Sequence, residues 1–323
     1  MIKKLSLVLL LLCWGSVGVA EAEKAIVAEI PPATVSMPLK KLSEHVYYVQ
    51  GAAGVATDNE GFISNAAAII TSKGIVMVDA LGTPSLAKKF LDQLRKVTDK
   101  PVIMAIATHY HADHIYGLQV FKAEGAEVIA PAGYQDYLDL PVSSERLEER
   151  RVSLAPWVNE DTHIVLPDRV IDKNTTLKIG DIELDLVYLG TAHSDGDLSV
   201  LVKNDDVLIS GDIIFEGRVP FTGSADTAHW LEVLEKLDNT GLKALLPGHG
   251  AAAKDPAKAV KMTLSYLKTV REAMQNGVDE MLTFDEAYEN ADWSEFENLP
   301  AFDAAHRRNA YGVFLSLEAE SLK

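Results

Sequence analysis

From residue 42 the chain alternates short apolar runs with turn residues: HVYYVQ, AAAIITSKGIVMVDA, PVIMAIATHYH, AEVIAP, TLKIGDIELDLVYLGTAH and LSVLVKNDDVLISGDIIF. Runs of this kind, bounded by Gly, Asn, Asp and Pro, predict β-strands. Three of the breaks are short enough to close hairpins, at Ser72-Lys73-Gly74, Gly180-Asp181 and Lys203-Asn204-Asp205-Asp206. Helical spacing of apolar positions interrupts the strands near residues 85–97, 113–124 and 227–238. Hairpins mixed with crossover helices predict an α/β architecture whose sheets are covered by helices. From Pro256 the pattern is helical only, in AKAVKMTLSYLKTVREAMQNG and AFDAAHRRNAYGVFLSLEAESL. Residues 256–323 therefore form a helical C-terminal extension to a main domain at 42–255. Upstream, residues 23–41 contain Pro31 and Pro32, which forbid a helix there, and the stretch is expected to be an extended tether.

Composition narrows the function. With 323 residues, 48% of them hydrophobic, there is ample chain to bury a large core. The formal charge of −17 repels polyanions, which excludes a nucleic-acid surface or an anionic membrane as partner and favours a small-molecule substrate. The first 22 residues have the form of a cleavable secretory leader: Lys3 and Lys4, an apolar run over 5–20, then Ala20-Glu21-Ala22. A periplasmic or secreted protein with no membrane attachment after cleavage is expected. Cys13, the only cysteine, lies inside that run, so the mature chain has no thiol. Any metal would be held by histidines and carboxylates.

The candidate chemistry is concentrated in THYHADHIYG, residues 108–117, which carries His109, His111, Asp113 and His114. Residues 102–107 read as a buried strand and Asp113 opens a helical pattern, so the histidines sit on a loop at a strand's C-terminal end. In an extended segment His109 and His111 point the same way, which lets two imidazoles reach one ion. Asp113 and His114 can aim at a second point nearby. Zinc accepts imidazole and carboxylate donors in a tetrahedral shell, so further donors must come from elsewhere. His193 in LGTAHSDGD, Asp212 in ISGDIIF and His249 in LLPGHG each follow a strand-like run and stand beside Gly or a small residue. His45, His163, His229 and His306 lack such company and are read as ordinary surface or core residues.

In order and separation, THYHADH followed by TAHSDGD, SGD and PGHG, together with the strand ending in Asp79, resembles the metallo-β-lactamase superfamily over roughly residues 42–250. The resemblance implies a four-layer αβ/βα sandwich with metals at one edge. It implies that His109, His111 and His193 hold one ion, that Asp113, His114 and His249 hold a second, and that Asp212 bridges them. Asp79 would orient a ligand imidazole from behind. Two zinc ions per chain could share a hydroxide for attack on an ester, thioester, lactone or amide bond, with Asp113 as the catalytic residue that orients it and passes on a proton. An Asp at the bridging position is similar to glyoxalase II, thioesterases and lactonases, whereas the β-lactamases of the superfamily carry a Cys or lack the acid there. GDIIFEGRVPFTGSADTAHWLEVLEKL is similar to exported relatives that accompany sulfur-oxidation and quinoprotein systems. Three alternatives accompany the hydrolase reading: a β-lactamase, a persulfide dioxygenase holding one iron(II) on His109, His193 and Asp212, and a metal-binding scaffold without turnover. Arg218 is a candidate for binding a substrate carboxylate or, equally, for a surface ion pair. The Gly-rich stretch 51–65 is either a flap over the site or a plain hairpin loop.

Overall fold

The computed structural model describes residues 30–322; the expected leader and Cys13 lie outside them. Two sheets stack face to face. The first has seven strands in chain order: β1 (Lys40–Lys41), β2 (Val46–Val49), β3 (Ala66–Ile70), β4 (Ile75–Val78), β5 (Val102–Ile106), β6 (Glu127–Pro131) and β7 (Arg169–Ile171). Its first four strands pair antiparallel and the rest run parallel to β4. The second sheet has the order β12-β11-β10-β9-β8, built from β8 (Thr175–Ile179), β9 (Ile182–Gly190), β10 (Asp197–Val202), β11 (Val207–Phe215) and β12 (Ala244–His249). All three expected hairpins are present, joining β3 to β4, β8 to β9 and β10 to β11.

Strand alternation sorts the side chains into layers. Val76 and Val78 of β4 and Met104 and Ile106 of β5 face the other sheet, where they meet Leu184, Leu186, Val200 and Ile209. Ile75, Met77 and Ala105 point the opposite way, onto α1 (Pro84–Leu94) and α3 (Leu118–Ala123), through Leu86, Phe90, Val120 and Phe121. Because both faces are covered, β4 is wholly buried and reads as an unbroken apolar run. On the outer face of the second sheet, Leu208 and Phe215 pack against Trp230 of α6 (Thr227–Lys236) and against Tyr266, Leu267 and Val270 of α7 (Pro256–Asp279). The layers are thus helix, sheet, sheet, helix, as the resemblance implied.

The helix starts follow ordinary capping chemistry. Thr83 accepts from the Leu86 amide with Pro84 in the first turn, and Asp255 accepts from the Lys258 amide ahead of Pro256. The Thr283 hydroxyl and the Glu286 carboxylate cap one another's amides at α8 (Phe284–Asn290). The last helix, α9 (Phe302–Ser321), contributes Ala310, Val313, Phe314 and Leu317 to the same apolar cluster as β11. The extension is therefore continuous with the core of the second sheet. Among the described residues no helix is long and apolar enough to cross a membrane.

Two expectations need correction. The described part of the tether is not free chain: Met37 is 2% exposed in the core, and Lys40 and Lys41 pair with Tyr48 and Tyr47 as an edge strand. The expected helix near 113–124 is broken into α2 (Ala112–Ile115) and α3 at Gly117. A β-carbon on Gly117 would stand 2.0 Å from the Ala80 carbonyl oxygen, so the chain passes too close to the turn after β4 for any other residue.

Candidate metal centre

The site lies where strands of both sheets end. Asp79 follows β4; His109 and His111 follow β5; Asp113 and His114 occupy α2; His193 follows β9; Asp212 is on β11; and His249 closes β12. Residues spread over 171 positions of sequence (79 to 249) therefore converge because the strand ends converge.

Seven donors form two groups, His109, His111, His193 and Asp212 in one and Asp113, His114 and His249 in the other. In the first, His111 Nδ1 stands 3.1 Å from His109 Nε2 and 2.9 Å from His193 Nε2, and Asp212 Oδ2 lies 3.3 Å from His193 Nε2. In the second, His249 Nε2 is 3.2 Å from Asp113 Oδ2, and His114 Nε2 is 3.6 Å from the same oxygen. Asp212 reaches this group as well: Oδ1 is 3.2 Å from His114 Nε2 and Oδ2 is 3.2 Å from His249 Nε2.

Which nitrogen faces inward is set from behind. His109 Nδ1 donates to the Thr108 hydroxyl (3.0 Å), which donates in turn to Asp79 Oδ2 (2.9 Å). His114 Nδ1 donates to Asp79 Oδ2 at 2.8 Å, and His249 Nδ1 donates to the Ile63 carbonyl at 2.7 Å. Each of these rings is left with Nε2 pointing at its neighbours, the pattern that fixes a ligand tautomer. Asp79 does this at φ 61°, anchored also by the Thr108 amide at 2.8 Å.

A cation fits this set. Buried His114 Nε2 and Asp212 Oδ1 face each other at 3.2 Å without making a hydrogen bond, and neither has another partner. Three imidazole nitrogens facing one another at about 3 Å cannot all be satisfied by protons, whereas donors on a tetrahedral ion with bonds near 2.0–2.1 Å are spaced by about 3.3 Å. Burial lowers His109 well below the usual histidine value, His111 to about 4 and His193 to about 3. Burial also opposes charge on His114 and His249, but the surrounding carboxylates, Asp212 foremost, outweigh it and raise both. Burial alone would raise Asp113 and Asp212; the nearby imidazoles reverse that and hold both carboxyls below the ordinary range.

Two glycines make the geometry feasible. Gly211 has φ 56° at a register break in β11, and a β-carbon there would sit 2.7 Å from the Thr108 side chain; the missing atom lets β11 pass the other sheet's loop. A β-carbon on Gly248 would stand 1.8 Å from Asp212 Oδ1. Further residues, not singled out in the sequence, hold the loops. Asp197 accepts from the Ala192 and Ser194 amides and the Ser194 hydroxyl, fixing the His193 turn; its burial pushes its carboxyl up to about 7. The Asn65 side chain donates to the Pro247 and Gly250 carbonyls on either side of His249. Tyr110 donates to Asp195 at 2.8 Å and stacks on Tyr137, tying the His109 loop to the His193 loop.

A cleft of about 270 Å³ opens over the second group, bordered by His111, Asp113, Asp212 and His249. Val55, Ala56 and Ile63 of the 51–65 stretch line it, so that stretch borders the cleft. Arg218 lines it too. The surface ion pair is corrected: Arg218 is 7% exposed and meets no carboxylate in an ion pair among the described residues, because the turn after β11 directs it inward against His249. Of the other histidines, His45 pairs with Asp205 and His306 is buried against Tyr266.

The family model described as the metallo-beta-lactamase superfamily matches residues 59–249. The chain belongs to the metallo-beta-lactamase superfamily. The match takes in every donor and stops at His249, so the helices from Pro256 onward lie beyond it. Among curated relatives, a metallo-beta-lactamase type 2 of Elizabethkingia meningoseptica is 27% identical over 193 residues, 58% of this chain and 69% of the relative. Another of the same description from Bacillus cereus is 23% identical over 196 residues, 59% and 68% of the two chains. The fold is similar to the metallo-beta-lactamase of Pontibacter korlensis, at TM-score 0.57 and 18% identity over 72% of this chain and 99% of that one. It is also similar to the sec-alkylsulfatase Pisa1 from Pseudomonas sp., at TM-score 0.66 and 17% identity over 87% of this chain and 50% of that one.

Proposed function

We propose that this superfamily member is an exported dinuclear zinc hydrolase that cleaves an ester, thioester, lactone or amide bond of a small molecule. The observation that carries the reading is the position of Asp212: one buried carboxylate lies within 3.3 Å of imidazole nitrogens from both donor groups, at the floor of a cleft. His109, His111 and His193 would hold one ion, Asp113, His114 and His249 the other, and Asp212 both. Bound there, such ions supply Lewis acidity toward a substrate oxygen and bring the pKa of water down to about 7. The protein's own part is to orient and to handle the proton. The Asp113 side chain keeps 21% exposure against 4% for Asp212, so it is the carboxylate that faces incoming water and substrate. Export rests on the leader pattern at residues 1–22, and N-terminal sequencing of the periplasmic protein would test it.

The curated relatives' description favours including β-lactams among the substrates tried. Elemental analysis of the purified protein is expected to give about two zinc ions per chain, falling to about one in His249→Ala, with hydrolysis lost in step. A single iron that survives His249→Ala would replace the hydrolase with the dioxygenase reading. Full cellular function in an Asp212→Ala variant would point to a scaffold instead.

A further inference from the structure

In a chain with 17 more acidic than basic charges, the cleft is ringed by arginines. Arg146 and Arg150 come from α5 (Pro141–Ser153), Arg218 from the turn after β11, and Arg308 from α9. The only acidic residues on its walls are Asp113 and Asp212, both already assigned to ion binding. Elsewhere arginines are neutralised: Arg307, next in sequence to Arg308, pairs with Asp285 at 2.7 Å and lies over Tyr288. Among the described residues Arg146, Arg218 and Arg308 have no carboxylate within ion-pair distance, and the nearest to Arg150 is its chain neighbour Glu149, at 3.7 Å.

Arg218 carries most weight. A guanidinium withdrawn from water without a counter-charge is disfavoured by several kcal/mol. Its Nε donates only to the Val219 carbonyl, at 3.3 Å, and its Nη1 stands 3.5 Å from His249 Nδ1, which is already committed to the Ile63 carbonyl. Burial lowers Arg218 from the usual guanidinium range, and the carboxylates of Asp212 and Asp113 offset that only in part, a support that ions held by those carboxylates would remove. Between the arginines the wall is apolar, with Val55, Ile63, Phe215, Phe221 and Ala304, and the Arg308 guanidinium lies 5.8 Å from the Phe221 ring.

We propose that the cleft selects substrates that bear an oxyanion, a carboxylate or sulfonate-like group, on a short apolar spacer from the scissile bond. Arg218 receives that group at the wall, and Arg146, Arg150 and Arg308 draw it in at the rim. This deepens the hydrolase reading and rests on it for the bond that is cut. Arg308 comes from beyond the family match, so this chain's extension contributes to the specificity, while Arg146, Arg150 and Arg218 lie within the match.

Three 4-nitrophenyl esters test it on the zinc-loaded protein: the neutral butyrate, the half-ester of glutarate and the 4-sulfobutyrate. One or both anionic esters are expected to exceed the butyrate at least about tenfold in kcat/KM, an advantage that shrinks as salt rises. Their ratio tells carboxylate from sulfonate. Arg146→Ala and Arg308→Ala should each cut the anionic preference about three- to tenfold, roughly the range of one charged contact near a surface, and Arg307→Ala should leave it intact. Arg218→Gln, read as the ratio of anionic to neutral ester so that any general loss of activity cancels, should cut the preference most. No anionic preference, or one undiminished both there and in the Arg146→Ala/Arg308→Ala double variant, overturns the proposal. If none of the esters is cleaved, the hydrolase reading fails separately, and calorimetry with glutarate against neutral glutaramide decides: tighter glutarate binding that weakens in Arg308→Ala upholds the anion site, and equal or absent binding overturns it.

Discussion

The two donor groups share Asp212 yet are built on opposite electrostatic plans. Around His109, His111 and His193 burial dominates and the rings are held neutral, so their lone pairs are available near pH 7. Around His114 and His249 the carboxylates of Asp79, Asp113 and Asp212 dominate, and both rings hold a proton more strongly than a free imidazole. Metal binding at the first group therefore competes with little, whereas at the second it displaces protons. Their outer supports differ in the same sense. His114 is backed by the Asp79 carboxylate, while buried His193 Nδ1 has no partner and its ring is held by the edge of Trp230 at 5.2 Å. His193 is positioned by packing and His114 by direct charge, while His109 reaches Asp79 only through Thr108.

The strongest way to break this comparison is Asp212→Ala. Loss of the one carboxylate common to both groups should take zinc from about two per chain to less than one and lower kcat/KM by roughly 10³-fold. Two ions retained in that variant would make the groups independent. Asp79→Asn is the more graded probe, since it strikes His114 directly and reaches the first group only at His109, through the Thr108 hydroxyl. The second zinc should bind about 10- to 100-fold more weakly, as is usual on loss of an outer carboxylate, with the first weakened less in a competitive chelator titration. Equal losses at both positions would erase the asymmetry.

The smallest effect on activity is expected from Asp197→Asn, which addresses the loop of the first group. One oxygen can still accept from the Ala192 and Ser194 amides, and the new amide can donate to the Ser194 hydroxyl. Because burial raises the Asp197 carboxyl to about 7, the folded metal-free protein takes up a proton that the unfolded chain has released above about pH 4. That contribution to stability is full below pH 4 and is lost as pH rises through 7, a change on the order of a few kcal/mol. The variant should flatten this part of the stability profile in denaturant melts at stepped pH; an unchanged slope would show that Asp197 is ionised throughout.

The sequence makes the metal-holding frame unusually legible. His109, His111, Asp113 and His114 lie within six positions, His193 and His249 stand at strand ends beside a small residue, and Asp212 sits within β11 beside Gly211, so local spacing and patterning are enough to pick them out. The four layers are equally plain, because buried strands such as VIMAI leave unbroken apolar runs. What is hidden depends on distant contacts. Nothing in AFDAAHRRNAY distinguishes Arg308, over the cleft, from Arg307, paired with Asp285, until α9 is docked. Asn65 looks like a turn residue until the loop around His249 is placed beside it, and Gly248 becomes indispensable only because Asp212 lies opposite. The short helix α4 (Ala132–Leu138) and α5 escape notice for a related reason: α5 buries only Ser143 and Leu147, too few to mark a period.

The last helix serves two masters with opposite faces of the same turns. Val313 and Phe314 anchor it in the core, and one turn earlier its surface side hangs Arg308 over the cleft. The anchor is constrained by packing and the ion-holding loops by coordination, but the exposed positions of α9 answer to neither. A descendant of this chain could therefore trade one substrate for another by rewriting a few letters near its tail, inheriting the chemistry whole.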